Sequence, residues 1–575
     1  MHGRKRSTLK SDEAEAEKER QKQKLDLYRK ARDELFSKIK AGFDGEAMEI
    51  SKAILSSNPD FTTLWNHRRK YILGLLANDC SATNGDASEK ILESELRLTQ
   101  ACLLKNPKSY SAWHHRYWTL SRMRSPDFSS EFALIDSGLQ EDDRNFHCWD
   151  YRRLVCRLAN RPLEEELSFS EKKVNDNFSN FSAWHYRSRM LSQLRPGGDE
   201  GMPIELNAFF EELSLSRNGI FTDPDDQSCW LYQNWLTTPV VGKVKLQSIS
   251  IGTRSGLVVL CFNQAVTSDM FEFTLPNCQF YADAARWITP DNGVSSCLWY
   301  SRLSNYYPTV DFLCVVKLVG DTSSIQVRWQ DTVALDDVRY WHASQCKHPV
   351  GLELPANVRT SLVENLSDVE KLIVMEPENH LALVSAVTRM DVLGRKDYTE
   401  QMIAYLDMAA ALDKKRKNFY LYWRSSLLID SAIRTHVQLS HDIQVAINLS
   451  AKGLTCLNIA PDLGFLTFLN ISYNSIESVA SLCRLVHLRQ LLAQGNSIST
   501  MQGLENLTEL EFVDLTSNCI DIDGFSQLSN CKRLTGLLLG NNPVCRVAEI
   551  AHLPYVSTSV ERQVSLERTL EQLAR

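Results

Sequence analysis

No run of 18 apolar residues occurs in the 575-residue chain, so its sequence predicts no membrane-spanning helix. The N-terminal stretch lacks the hydrophobic core of a secretory signal and is densely charged through residues 10–40, which predicts a cytoplasmic protein. Charge of one sign is also missing. With 64 Lys and Arg against 71 Asp and Glu, the formal net charge of −7 is too balanced to make nucleic acid or a membrane surface the main ligand, and it points to a protein partner. None of the 15 cysteines stands in a Cys-X-X-Cys pair, which argues against a disulfide framework or a structural zinc site and for reduced, buried thiols. His342, Cys346 and His348 bring ligand types close together but have no fourth partner nearby.

What is present, first, is a repeat. Trp-X-X-Arg occurs at Trp65–Arg68, Trp113–Arg116, Trp149–Arg152 and Trp184–Arg187, with a worn copy at Trp230–Gln233. Six residues before each Trp stands Pro or a substitute: Pro59, Pro107, Asp143, Phe178 and Pro224. One helix stops there, and polar residues after it can cap the next. Each unit reads as helix, turn, helix, with a base period of about 35 residues and insertions near 80–90 and 195–203. The Trp is expected to be a core wedge early in the second helix, with the Arg on the same face. The pairs His114-His115, Asp150-Tyr151 and His185-Tyr186 share one repeat slot and read as a polar layer inside the stack rather than as catalytic dyads.

After Gln233 the period changes. Alternation in Phe271–Leu275, around Val310–Val319 and in Ile325–Trp329 predicts strands, and residues 237–351 suffice for an inserted antiparallel sandwich of immunoglobulin-like size. Helical punctuation returns at Glu376-Pro377 and Leu412-Asp413, with Leu383 and Phe419 in the Trp position, so 352–441 continues the array begun over 1–236. Over 442–575, Leu466-X2-Leu469-X-Ile471-X2-Asn474 and its copies ending at Asn496, Asn518 and Asn542 recur about every 22 residues, the spacing of leucine-rich repeats. Lys452 replaces Asn in a divergent first copy. The expected fold is multidomain and mainly α: an α–α hairpin superhelix with an inserted immunoglobulin-like β-sandwich and C-terminal leucine-rich repeats.

Stacked hairpins place equivalent turn residues along one rim, about 10 Å apart. Five residues before the Trp, the copies carry Asp60, Lys108, Arg144, Ser179 and Asp225, so only the second and third are cationic. Lys108, Tyr110, Arg144, Asn145 and His147 form a donor patch with no carboxylate at the compared positions, which suits a phosphate-type anion. Spacing alone also allows an ordinary solvated loop edge.

Residues 106–116, 142–153 and 180–187 resemble the repeats of protein prenyltransferase α subunits. The strand-rich insert, the leucine-rich tail and the opening Met1-His2-Gly3-Arg4 are similar to the branch of that family that acts on Rab GTPases. The resemblance implies a heterodimer whose β subunit holds zinc, isoprenoid and peptide cysteine. This chain would bind no cofactor alone and would be inactive without that partner. Together they would transfer geranylgeranyl from geranylgeranyl diphosphate to C-terminal cysteines of Rab GTPases presented by an escort protein. Lys108 and Tyr110 match the family's Lys and Tyr at the diphosphate, and Asn145 and His147 match the Asn and His of the next repeat. Lys108, Tyr110 and His147 would then be catalytic, with Arg144 assigned by position only. Phe146 departs from the pattern, because farnesyl-transferring relatives carry Tyr there. His2, on the charged N-terminal segment, could donate an imidazole to the partner's zinc, the plain alternative being a disordered tail. The rival reading is a non-catalytic adaptor, since both repeat types are interaction scaffolds.

Overall fold

The computed structural model describes residues 11–78, 85–197, 201–239, 244–275, 287–290, 293–303, 313–319, 324–335, 338–342, 354–439, 446–458, 463–521, 528, 531–546 and 556–557. The chain forms two compact units, Met1–Leu194 and Arg195–Arg575.

The first unit is helical: α1 (Ser11–Ala41), α2 (Gly45–Ser57), α3 (Thr62–Asn78), α4 (Gly85–Lys105), α5 (Tyr110–Leu120), α6 (Phe128–Glu141), α7 (Phe146–Leu158), α8 (Leu163–Asp176) and α9 (Phe181–Leu194). From α2 onward the helices pair as hairpins. Residues 85–90, expected in a loop insertion, belong to α4. Trp65, Trp113, Trp149 and Trp184 are buried at the starts of α3, α5, α7 and α9. Each indole N–H donates to the carbonyl six residues upstream: Pro59 at 2.7 Å, Pro107 at 2.9 Å, Asp143 at 2.9 Å and Phe178 at 2.8 Å. That position therefore does more than stop a helix, and Pro is dispensable there because only its carbonyl is used.

The recurring Arg has a reason in charge pairing. Arg116 donates through Nε and Nη2 to Glu131 on α6, at 2.8 and 2.6 Å, and Tyr151 of α7 donates to the same carboxylate at 2.7 Å. Arg152 and Tyr186 share Glu166 of α8 in the same way, and Arg68 and His115 share Glu95 of α4. Each Glu thus takes an Arg from the preceding hairpin and a donor from its own, locking neighbours together. The polar layer exists, but only its second member enters: His115, Tyr151 and Tyr186 are buried, whereas His114, Asp150 and His185 lie exposed.

Burial would raise the Glu95 pKa, but hydrogen bonds from His115 and Arg68 override it and hold the carboxyl near about 2 against an ordinary 4.5. A carboxyl depressed on folding stabilises above its unfolded pKa, and that stability is lost as pH falls toward the folded value. Acidification from 4.5 toward 2 should therefore lower the urea midpoint of the wild type. Glu95→Gln should start less stable at neutral pH and show a shallower slope across that window. Parallel slopes for the two proteins would refute the assignment.

In the second unit, α10 (Leu206–Thr222) and α11 (Gln227–Thr237) form the worn hairpin, with Trp230 Nε1 again donating to Pro224 O at 2.9 Å. α11 packs on α13 (His380–Leu412), which pairs with α12 (Ala356–Met375) and α14 (Lys417–Leu439). The fifth hairpin thus belongs to the second unit, which begins at Arg195. α13 is broken at Gly394, whose φ of 152° glycine adopts readily. Leu383 fills the Trp position and is buried, as expected. Phe419 does not: it is exposed, and Tyr420, four residues after the turn as each Trp is, is the buried ring, its hydroxyl bonded to Asp413.

Between α11 and α12 lie two antiparallel sheets. One has the order β4 (Ser295–Arg302), β2 (Leu257–Thr267), β1 (Leu246–Gly252), β8 (Val338–His342), β7 (Val333–Leu335); the other is β3 (Phe271–Thr274), β5 (Leu313–Leu318), β6 (Ser324–Arg328). Val258, Leu260 and Phe262 of β2 share one core with Phe271, Val316 and Val327 of the other sheet. After α14, six very short strands, β9 (Ala446–Asn448), β10 (Phe468–Asn470), β11 (Gln490–Leu492), β12 (Phe512–Asp514), β13 (Gly536–Leu538) and β14 (Val556–Ser557), pair in parallel in chain order. Asn496, Asn518 and Asn542 each donate to carbonyls of their own and the preceding turn and accept a preceding turn's N–H, a ladder that satisfies the backbone where each strand ends.

Candidate functional site

The rim is built by the turns α4–α5 and α6–α7. Ser109 caps α5, its hydroxyl accepting from Ala112 N and donating to Asp60 at 2.6 Å. Asn145 caps α7: its Oδ1 accepts from His147 N at 3.1 Å, and its Nδ2 donates at 3.2 Å to Pro107 O, the carbonyl that also receives Trp113. Asn180 repeats this on Asp143 O. One turn carbonyl thus takes its own Trp and the next copy's Asn, which fixes the spacing between neighbouring turns.

That spacing brings the sequence-selected residues together. The Tyr110 ring meets His147 edge-on, centroids 4.3 Å apart, and lies 5.9 Å from Phe146. Lys108 is 66% exposed and pairs with Asp142 Oδ2 at 3.2 Å. Tyr110 is 69% exposed, while His147 is nearly buried beneath it. Burial pulls the His147 imidazole below its ordinary 6.5; Asp150 opposes this and Lys108 reinforces it. The ring is therefore uncharged at neutral pH and can donate one N–H. Arg144 lies exposed on the same turn, its guanidinium without a partner among the described residues.

Asn145 is placed differently from the expectation of a direct ligand contact. It is only 2% exposed and its amide is committed to the turn, so it positions Lys108, Tyr110 and His147 rather than facing outward with them. Comparing fixed offsets missed Asp142, the carboxylate beside Lys108, although it stands two residues before Arg144 in the same motif. The Glu residues were missed too. Glu95, Glu131, Glu166 and Glu212 stand at a constant distance before their Trp, a periodicity readable without coordinates.

A cleft of about 610 Å³ opens at the far ends of α7 and α9, lined by Arg153, Arg157, Arg161 and Arg189 over Glu166 and Cys156. Burial lifts the Cys156 thiol to about 12, so it supplies no nucleophile at neutral pH. Among the described residues, no three His, Cys, Asp or Glu side chains gather into a metal site, and no helix is long and apolar enough to cross a membrane. His2, Cys346 and His348 lie outside the described residues.

The protein prenyltransferase alpha subunit repeat matches residues 92–123, 128–159, 163–194 and 209–238, the hairpins α4–α5 through α10–α11. The chain is 32% identical to the geranylgeranyl transferase type-2 subunit alpha of Bos taurus over 95% of this chain and 96% of the relative. It is 31% identical to that of Homo sapiens over 97% and 100%. A solved Candida albicans protein geranylgeranyltransferase-I complexed with GGPP aligns with 70% of this chain and 91% of its own, at 17% identity and a TM-score of 0.38. Similar to the two type-2 alpha subunits over 95% and 97% of its length, and matching the repeat along its hairpins, the chain belongs to the family of type-2 geranylgeranyl transferase alpha subunits.

Proposed function

We propose that this chain is the α subunit of a heterodimeric, cytoplasmic transferase that moves geranylgeranyl from its diphosphate to C-terminal cysteines of Rab GTPases presented by an escort protein, and that it is inactive without its β subunit. The carrying observation is likeness to type-2 α subunits over almost the whole of both chains. The rim supports a division of labour between subunits. A thiolate attacks the first carbon of an allylic diphosphate, the carbon–oxygen bond breaks, and negative charge grows on the departing pyrophosphate. Lys108 with its positive charge, Tyr110 with its hydroxyl and neutral His147 with one N–H are donors fixed before that charge develops, and Arg144 adds a second positive charge nearby. Asn145 keeps them in register.

We assign zinc, and the thiol it would activate, to the β subunit, as the family resemblance implies, with His2 as a candidate ligand from this chain. We further read 237–351 as an immunoglobulin-like sandwich, supported by two antiparallel sheets around one core, and 442–575 as leucine-rich repeats, supported by the Asn ladder. The helical repeats over 1–236 and 352–441 carry the rim and the partner-facing surfaces.

The direct experiment compares transfer to a Rab–escort complex by this chain alone, by a candidate β subunit alone and by both. Transfer only by the pair supports the proposal. Equal transfer by the β subunit with and without this chain would reduce it to an adaptor.

A further inference from the structure

The turn residue that ends each first helix occupies one slot. Asn106, Asp142 and Asn177 each accept, through the side-chain oxygen, the N–H two residues on: Lys108 N at 3.3 Å, Arg144 N at 3.2 Å and Ser179 N at 3.0 Å. The slot's second polar atom reaches back to the preceding copy. In the second copy, the Asn106 amide donates to Asp60 at 3.1 Å. In the third copy, the same pair of positions is reversed in charge: the later turn holds the carboxylate, Asp142, and the earlier turn the cation, Lys108, at 3.2 Å. The turn itself does not require the acid, since asparagine makes it in the copies on either side.

Resting on the reading of this rim as the diphosphate site, we propose that Asp142 is a positioning residue that competes with the diphosphate for Lys108. It holds the ammonium over the rim when the site is empty, yields it to the incoming diphosphate, and retakes it as pyrophosphate leaves. The competition is between a fixed carboxylate and a multiply charged anion for one cation, and no bond other than the ion pair changes. An exposed pair of this kind is weak by itself, so the cation is readily surrendered. The carboxylate nevertheless repels every charge of the anion that displaces it, which limits affinity and favours release.

Asp142→Asn in the full heterodimer keeps the turn and removes the charge. Inorganic pyrophosphate and geranylgeranyl diphosphate should each bind on the order of ten-fold more tightly, by Coulomb's law at a few ångströms in high dielectric. Pyrophosphate should become a correspondingly stronger product inhibitor, and the gain should shrink with added salt. A disturbed turn would weaken binding, so tightening is a signature that structural damage does not produce. Adding Lys108→Ala to Asp142→Asn should cancel most of the gain. Unchanged or weaker pyrophosphate binding by Asp142→Asn, with Lys108→Ala still weakening it in the parent, would overturn the role of Asp142 alone. If Lys108→Ala leaves both pyrophosphate binding and transfer untouched, the diphosphate reading of the rim fails as well.

Discussion

Lys108→Ala is expected to slow single-turnover geranylgeranyl transfer by about 10²–10³-fold, the usual loss for one preorganised donor at a site of developing charge. The heterodimer should still assemble. Lys108 is 66% exposed and its ion-pair partner within this chain is the half-exposed Asp142, so truncation empties no core and strands no buried charge. The loss should fall on the chemical step more than on substrate affinity, because the charge to be stabilised is larger on the leaving pyrophosphate than in the bound ester. Lys108→Arg should recover part of the rate: it keeps the charge, but a planar fork cannot take the place of a compact ammonium at every oxygen. A single-turnover rate for Lys108→Ala equal to that of the parent would remove this residue from the site. His147→Ala is a less clean probe, because the ring is nearly buried beneath Tyr110.

The rim was legible because its residues recur in register: once the Trp positions set the frame, Lys108 falls opposite Arg144, and Tyr110 opposite Phe146 and one position from His147, without coordinates. Their surroundings were less legible. Asp142 precedes the turn positions that invite comparison, and Asn145 has the composition of a ligand-binding residue, yet the Pro107 carbonyl and the His147 N–H take up its amide. Of each pair after a Trp, helical rotation sends the second residue inward and leaves the first on the surface, which a shared slot in the sequence does not distinguish.

In the insert, strands β3, β5 and β6 showed in the sequence through alternation, whereas β2 did not. Its residues from Leu257 to Phe262 are buried on both faces. Val258, Leu260 and Phe262 enter the inter-sheet core, while Leu257 and Val259 join a second cluster with Val486 of the parallel solenoid. A strand covered on both sides loses the period of two and reads as a plain apolar run. Along the same contact the tilted rings of Tyr340 in β8 and Phe465 pack with centroids 4.4 Å apart, and Arg302 of β4 reaches Glu509. Phe419 was misplaced for a simpler reason: two rings are adjacent, and a one-residue lengthening of the interval turns Tyr420 rather than Phe419 into the core.

The buried Arg–Glu joints carry the second large effect. Glu131→Ala should destabilise the protein by about 3–5 kcal/mol, because it leaves the Arg116 guanidinium buried without its counter-charge. It also deprives the Tyr151 hydroxyl of its acceptor. A urea titration followed by tryptophan fluorescence should show the midpoint fall, with Trp113 and Trp149 flanking the joint. Removing both charges with Arg116→Met and Glu131→Leu should recover most of the loss, since a buried pair can be replaced by apolar groups of similar volume at little cost. A double variant as unstable as Glu131→Ala would refute the charge argument and leave packing as the cause. One joint of the chain is built differently. At the joint of α11 with α12 and α13, Gln233 stands in the Arg position and Asn365 in the Glu position, and both accept from the fully buried Arg389, at 2.6 and 3.0 Å. Burial lowers Arg389 to about 9, still above neutral pH, so it keeps its charge among neutral oxygens. At this joint the Arg and Glu positions are both neutral, and the buried cation comes instead from Arg389 of α13, its N–H groups accepted by amide oxygens in place of a carboxylate.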